Sequence, residues 1–303
     1  MIHQLNINGK DKVQVAIDRL KAFEPPEGYY LAFSGGKDSV VIKALADMAG
    51  VKYDAHYCVT SVDPPELVKF VKTFDDVSFD RPLDKDGNQK TMWKLIPKHK
   101  MPPTQLIRYC CAELKESGGN GRLTITGVRW AESRNRQINQ GGVTVYKGNK
   151  QVVEVLGGDA NFTETPRGGV VLTNDNEESR KMVEQCYKLA KTVINPIIDW
   201  TDSDVWEFIR EYNIRYCGLY DKGFKRLGCI GCPMGSNQLF ELEQYPKYKR
   251  AYIRAFDRML KEFNRPSDWE TGEDVYKWWV RGFNGKFNNR NRNKNQIEME
   301  ANE

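Results

Sequence analysis

No stretch of this sequence stays apolar for the roughly 20 residues that a membrane-spanning helix needs, so no membrane partner is expected. The segment from Met1 to Lys12 is too polar for a signal peptide, which makes a cytoplasmic location the expectation. No internal repeat is present. The cysteines, at positions 58, 110, 111, 186, 217, 229 and 232, are odd in number and do not form a disulfide framework. No cysteine follows Cys232. The net charge of +5 suits an anionic substrate or a nucleic acid and is diagnostic of neither.

What is present is an alternation. With 303 residues, 40% of them hydrophobic, the chain can build one large α/β domain, or a domain with an appendage. Val13, Ala16, Ile17, Leu20 and Phe23 form a helical face ended by Pro25-Pro26. "YYLAFS" reads as a buried strand and "VVIKALADMAG" as a helix stopped by Gly50. "VKYDAHYCVT" is a second strand, Pro64-Pro65 opens the helix "ELVKFVKTF", and "GRLTITGVR" is a third strand. This order predicts a Rossmann-like parallel sheet with helices on both faces. Glycines and β-branched pairs over 137–178 predict a hairpin insertion on the surface. Thr201 is the expected N-cap of the next helix, with Asp204 at its third position. Residues 246–263 form a basic amphipathic helix, and the Asn-rich basic tail is expected to fray. The expected organisation is a nucleotide-binding domain over 1–240, carrying the 137–178 insertion, and a helical extension over 241–303.

At the first strand–helix junction stands Ser34-Gly35-Gly36-Lys37-Asp38-Ser39. A strand feeding a glycine turn into a helix leaves backbone N–H groups at the positive end of the helix dipole, where a phosphate can approach closely. Lys37 adds a mobile charge; Ser34 and Ser39 add hydroxyls. The spacing is neither GxxxxGK[ST] nor GxGxxG. Asp38 repels a phosphate unless it holds a cation or caps the loop.

SGGKDS resembles the pyrophosphate loop of the adenine-nucleotide α-hydrolase (PP-loop ATP pyrophosphatase) superfamily. "TGVRWAESRNR", "NPIIDWTDSDVWEFI" and "CGLYDKGFKRLGCIGCP" resemble successive blocks of its phosphoadenosine phosphosulfate (PAPS) reductase family. The resemblance covers roughly 28–135 and 190–235 and implies that Ser34 to Ser39, Arg129 and Arg136 contact an adenine nucleotide, ATP or PAPS, with magnesium a candidate companion. Lys37 and Arg129 are then the catalytic candidates, stabilising charge at the α-phosphate. Asp63 is equally a ribose or metal contact and a helix cap.

Cys110-Cys111 and Cys229-x-x-Cys232 look like metal ligands. Adjacent cysteines with a distant CxxC resemble the 4Fe–4S arrangement in the iron–sulfur branch of this family. Zinc and ordinary reduced thiols are the alternatives. Cys186 reads as a core thiol, while Cys58 and Cys217 stay unassigned. The reductases of the family resemble one another in a C-terminal nucleophilic cysteine that this sequence lacks.

The expected activity is therefore ATP-dependent adenylylation and sulfur transfer. The alternatives are a true phosphoadenylyl- or adenylyl-sulfate reductase, and a nucleotide- or redox-sensing module without turnover. A nucleic-acid acceptor and a homo-oligomer are further candidate partners. For the acceptor, Arg281, Lys286, Arg290, Arg292 and Lys294 leave the tail open, whereas helix 246–263 reads as a solvated cationic face over an apolar stripe, with Trp278 and Trp279 in a core.

Overall fold

The computed structural model describes residues 2–4, 9–116, 118–146, 150–262 and 268–281. The expectations for Phe263, for the Cys186 side chain and for the tail beyond Arg281 lie outside them. In chain order the elements are α1 (Lys12–Ala22), β1 (Tyr29–Ala32), α2 (Lys37–Ala49), β2 (Tyr53–Cys58), α3 (Pro65–Val71), β3 (Val77–Asp80), α4 (Met92–His99), α5 (Tyr109–Leu114) and β4 (Thr124–Ile125). After a 3-10 turn at Trp130–Glu132 come α6 (Arg134–Asn139), β5 (Val143–Val145), α7 (Lys150–Gly157), β6 (Phe162–Glu164), β7 (Val170–Leu172), α8 (Glu177–Cys186) and β8 (Thr192–Ile194). The chain continues with α9 (Asp202–Glu211), α10 (Gln238–Gln244), α11 (Pro246–Lys261) and α12 (Gly272–Arg281).

The first of two units comprises Met1–Tyr57, Glu66–Asp80 and Gly118–Leu227. Its sheet has the order β3-β2-β1-β4-β8-β5-β7-β6. The pairs β1–β2, β1–β4 and β4–β8 are parallel, as the alternation predicts. Leu31 stands opposite Ala55 on one side and Ile125 on the other, and Ile125 opposite Ile194, all of them buried. That row lies on one face of the sheet, while β1, β4 and β8 are also buried at successive residues, as strands covered on both faces are. The 137–178 segment contains the expected hairpin, β6 against β7, but it is more than a surface loop. Its first strand, β5, pairs antiparallel with β8 and with β7, burying Val143 and Val145, so that the segment continues the sheet.

Helix ends follow local chemistry. Gly50 closes α2 with φ +70°, the left-handed conformation that glycine adopts without strain. At α9 the Thr201 hydroxyl accepts the Asp204 N–H (3.2 Å), and the Asp204 carboxylate accepts the Thr201 N–H (2.7 Å). Lys12 reaches the same carboxylate at 2.6 Å. Burial works against that charge, but Lys12 and the cap hydrogen bonds hold the Asp204 carboxyl well below the usual range.

The second unit comprises Cys58–Pro65, Arg81–Ser117 and Gly228–Glu303. Val62, Met92, Ile96, Ile230 and Leu242 pack with Tyr252, Phe256, Met259 and Trp279 in one core. Hydrogen bonds tie its separate segments together: Ile230 N–H to the Val62 carbonyl at 2.8 Å, and Trp279 Nε1 to the Pro103 carbonyl at 2.6 Å. The apolar stripe of α11 and Trp279 are core, as the sequence suggests.

Replacing Thr201 with alanine removes one half of the α9 cap. The expected loss is about 1 kcal/mol, read as a lower urea midpoint at unchanged m value. An unchanged midpoint would show the cap to be idle.

Candidate functional site

In the first unit, β1 delivers the chain into the loop and α2 carries it away. Gly35 has φ +74°, and a Cβ there would fall 2.6 Å from Val71 Cγ2 and 2.8 Å from Leu67 Cδ1. Only glycine satisfies both conditions. Gly36 is the N-cap of α2 and supplies no side-chain cap to the helix amides. The hydroxyls of Ser34 and Ser39 organise the turn instead: Ser39 Oγ donates to the Gly36 carbonyl at 2.8 Å, and Gly36 N–H donates to Ser34 Oγ at 3.4 Å. The first amide of α2, Lys37 N–H, donates to the Tyr220 hydroxyl at 2.8 Å. Tyr220 is held edge-on against Trp206, with ring centroids 5.2 Å apart. Burial pushes the Tyr220 hydroxyl up, so it stays protonated.

The charges beside the loop form one group. Arg129 is 1% exposed. Its Nε donates to Asp38 Oδ1 (2.7 Å), one terminal nitrogen to Asp202 Oδ1 (2.6 Å) and the other to the Trp200 carbonyl (3.2 Å). Lys37 Nζ stands 3.3 Å from both Asp38 Oδ2 and Asp202 Oδ1. Burial opposes the charge on Arg129, but Asp38 and Asp202 outweigh it and raise its pKa. Burial likewise opposes ionised Asp202, but the hydrogen bond from Arg129 and the Lys37 charge lower its pKa. Asp38 therefore holds two cations, Arg129 at 2.7 Å and Lys37 at 3.3 Å. Close approach of backbone makes this pairing accessible: a Cβ on Gly127 would lie 3.0 Å from the Asp38 Cβ.

Arg136 stands apart from this group. It pairs with Glu132, whose carboxylate also accepts the Arg129 N–H at 3.0 Å. Sequence reasoning quoted Asp202 and Tyr220 within its motifs without giving either a role. Only their long-range partners reveal them.

The paired cysteines all belong to the second unit. Cys110 and Cys111 lie in α5; Cys229 and Cys232 flank a turn in which Gly231 has φ +71°. That turn is fixed from α10, where Glu241 accepts the Gly231 N–H (3.0 Å) and Gln238 donates to the Gly231 carbonyl (3.2 Å). Cys110 and Cys229 pack against the same core cluster. Cys110 is pushed up by its hydrogen bond with Cys111, by burial and by the charges of Cys111, Cys229 and Cys232. Burial raises Cys229 to about 12 against the opposing charge of Lys115, which hydrogen-bonds to it. Arg108 hydrogen-bonds to Cys111. Among the described residues, no three His, Cys, Asp or Glu side chains gather tightly enough to hold a single metal ion.

Helix α5 is anchored through Glu113, which takes ion pairs from Lys90, Lys98 and His99. Burial works against its charge, and the hydrogen bonds of Lys98, His99 and Lys90 overcome it, lowering the pKa to about 2. This anchoring is complete above the ordinary glutamate range and is lost as pH falls towards about 2. Asp63 accepts a hydrogen bond from Thr60 Oγ1 at 2.7 Å. Cys217 is buried, which raises its thiol pKa. Cys58, at the end of β2, is half-buried with its Sγ 3.7 Å from the Lys115 carbonyl oxygen.

Among known proteins, the family model described as "Phosphoadenosine phosphosulfate reductase domain" matches residues 28–234. An uncharacterized protein of Methanocaldococcus jannaschii is 26% identical over 257 residues, which are 82% of this chain and 51% of that protein. An adenosine 5'-phosphosulfate reductase of Oceanobacillus iheyensis is 49% identical over 37 residues, 12% of this chain and 15% of the reductase. The chain thus spans about half the length of the first relative and less of the second. Similar solved structures include a phosphoadenylyl-sulfate reductase of Candida auris in a phosphate complex, with TM-score 0.42 and 14% identity over 75% of this chain and 96% of that one. Another is Candida glabrata FMN adenylyltransferase with FMN and the ATP analogue AMPCPP, with TM-score 0.41 and 15% identity over 72% and 63%.

The two loop glycines should respond differently to substitution. Gly35→Ala forces a left-handed side-chain residue into Leu67 and Val71 and should cost about 2 kcal/mol or more. Gly36→Ala meets nothing nearer than 3.4 Å and should stay within about 1 kcal/mol. Chemical denaturation of both variants checks this; equal losses would contradict it.

Proposed function

The chain belongs to the phosphoadenosine phosphosulfate reductase domain family, and from that premise we propose that it is an enzyme that adenylylates its substrate with ATP and handles sulfur through a 4Fe–4S cluster. The observation that carries the reading is the start of α2 behind the Gly35 turn, where the N-cap Gly36 brings no side chain over the helix amides, with the Lys37 ammonium beside it. Backbone amides at a helix N-terminus are anion receptors, and a glycine there lets a pyrophosphate approach.

Each residue has a separate task. Ser34 to Ser39 cradle the β- and γ-phosphates of ATP. Lys37 shifts from the exposed carboxylate of Asp202 to the phosphates and balances the charge that develops as an acceptor oxygen attacks the α-phosphorus and pyrophosphate departs. Arg129 is a positioning residue, because its guanidinium is already committed to Asp38, Asp202 and the Trp200 carbonyl. Asp202, 70% exposed at its side chain, is the carboxylate best placed to share a magnesium ion with the nucleotide. Arg136 is at most a peripheral contact.

The donor set of Cys110, Cys111, Cys229 and Cys232 fits an iron–sulfur cluster. Cys110 and Cys229 pack against one core, each with a second cysteine beside it in the chain, and four thiolates are the ligand set that a 4Fe–4S cluster takes. Arg108 and Lys115 offset thiolate charge. A cluster bound there would supply electron transfer or a sulfur-binding iron.

Anaerobically purified protein should bind ATP, exchange labelled pyrophosphate into ATP when its acceptor is present, and contain about four iron and four sulfide per chain. Lys37→Met should lower the exchange rate by about a hundredfold or more while leaving iron content unchanged. Sulfite release from PAPS with no exchange would replace this reading with a reductase, and absence of adenine-nucleotide binding would overturn it.

A further inference from the structure

Helix α11 is basic, but its distribution of charge is what distinguishes it. Lys247, Arg250, Arg254, Arg258 and Lys261 are all exposed. Their spacings of three, four, four and three residues place them within roughly 80° of helical arc and along about 21 Å of axis. The opposite face, with Tyr252, Ala255, Phe256 and Met259, is buried in the core of the second unit. The one acidic residue of the helix, Asp257, is occupied, its Oδ1 accepting the Gly272 N–H at 2.6 Å. Lys249 is on another side, over the Tyr276 ring. Arg258 donates to the Trp93 carbonyl at 3.0 Å. Among the described residues, no carboxylate pairs with any of the five.

A solvated helix face usually mixes signs, with acidic residues three or four positions from basic ones. A single-sign row repels itself and persists where an anionic partner neutralises it. We propose that this row is a docking surface for the phosphate backbone of a nucleic acid. Successive cations rise about 4.5 to 6 Å along the helix axis. The length of the row equals roughly six of the 3.4 Å axial rises per phosphate of one duplex strand. An anionic membrane fits less well, because the apolar face that an interfacial helix must insert is already consumed in the core. Recognition of this kind is independent of base sequence, since every contact is made to phosphate.

The surface stands apart from the nucleotide reading, and it is tested without any adenine nucleotide. Fluorescence anisotropy of the full chain with a labelled duplex DNA and a labelled RNA of about 30 nucleotides, across a salt series, should give saturable binding. The plot of log affinity against log salt should have a slope of about −4.5 for the duplex and about −3.5 for the single-stranded RNA, as about five phosphate contacts require. The double variant Arg250→Glu/Arg254→Glu changes only exposed positions, so its melting curve should match the parent. Its affinity at ~0.1 M salt should fall at least tenfold, and its slope should shrink by about 2. Lys181→Glu, at an exposed position of α8, serves as the control and should change neither. Unaltered binding by the double variant, or no saturable binding at low salt, would overturn the proposal. Capture by anionic vesicles that the double variant loses, with nucleic acid unbound, would reassign the row to a membrane surface.

Discussion

The loop of the first unit depends on one buried cation. Arg129 lies between Asp38, the second residue of α2, and Asp202, the first residue of α9, so one guanidinium fixes two helix starts against the segment after β4. Taking a guanidinium out of water is unfavourable unless its donors are satisfied, and here the carboxylates and the Trp200 carbonyl do so. Removing one partner of a buried pair leaves the other charge stranded, at a cost of roughly 3–5 kcal/mol. The Asp202 end is exposed and contributes less. The aspartate that would repel a phosphate from this loop therefore has a structural task. By binding Arg129 it holds the first turn of α2 in place.

This arrangement explains what was readable from the sequence. The strand–glycine–helix junction, the Thr201 cap with Asp204, the Gly50 stop and the core stripe of α11 are all encoded within a dozen residues, and local pattern found them. The parallel order followed from the alternation of elements. By contrast, β3 and β8 span only four and three residues. A strand that short has no period to detect and exists because neighbouring strands supply its hydrogen bonds. Helices α4 and α5 are likewise short, α4 with Pro97 near its end, and they form where the second core needs Met92, Leu95 and Ile96. Asp202 and Tyr220 were invisible for a related reason: Tyr220 meets Lys37 across 183 residues of chain, and Asp202 meets Arg129 across 73.

The cysteines show the same limit in another form. Spacing alone paired Cys110 with Cys111 and Cys229 with Cys232, but the residues that surround them come from all three segments of the second unit. Tyr252 packs in the core that Cys110 and Cys229 line, and donates its hydroxyl hydrogen to the Ile230 carbonyl at 2.9 Å. Glu241 and Gln238 fix the turn between Cys229 and Cys232, and Glu113 ties α5 to Lys90 and Lys98. A thiol set becomes a candidate centre only when its backbone is held from outside in this way, and no motif of four cysteines contains those restraints.

Charge is used in two opposite ways along the chain. In the first unit the buried cations are cancelled at short range: Lys37 and Arg129 by Asp38 and Asp202, and Lys43 by Asp76 at 2.7 Å and Asp47 at 3.3 Å. Such pairs organise structure but send little field into solvent, because each positive charge is matched within a few ångströms. On α11 the cations are exposed and uncancelled among the described residues, and their field extends over a Debye length of about 8 Å at physiological salt. The overall excess of +5 therefore says little by itself. What matters is whether a cation has a carboxylate beside it: paired ones fix helices in place, and unpaired ones in a row are free to attract a partner.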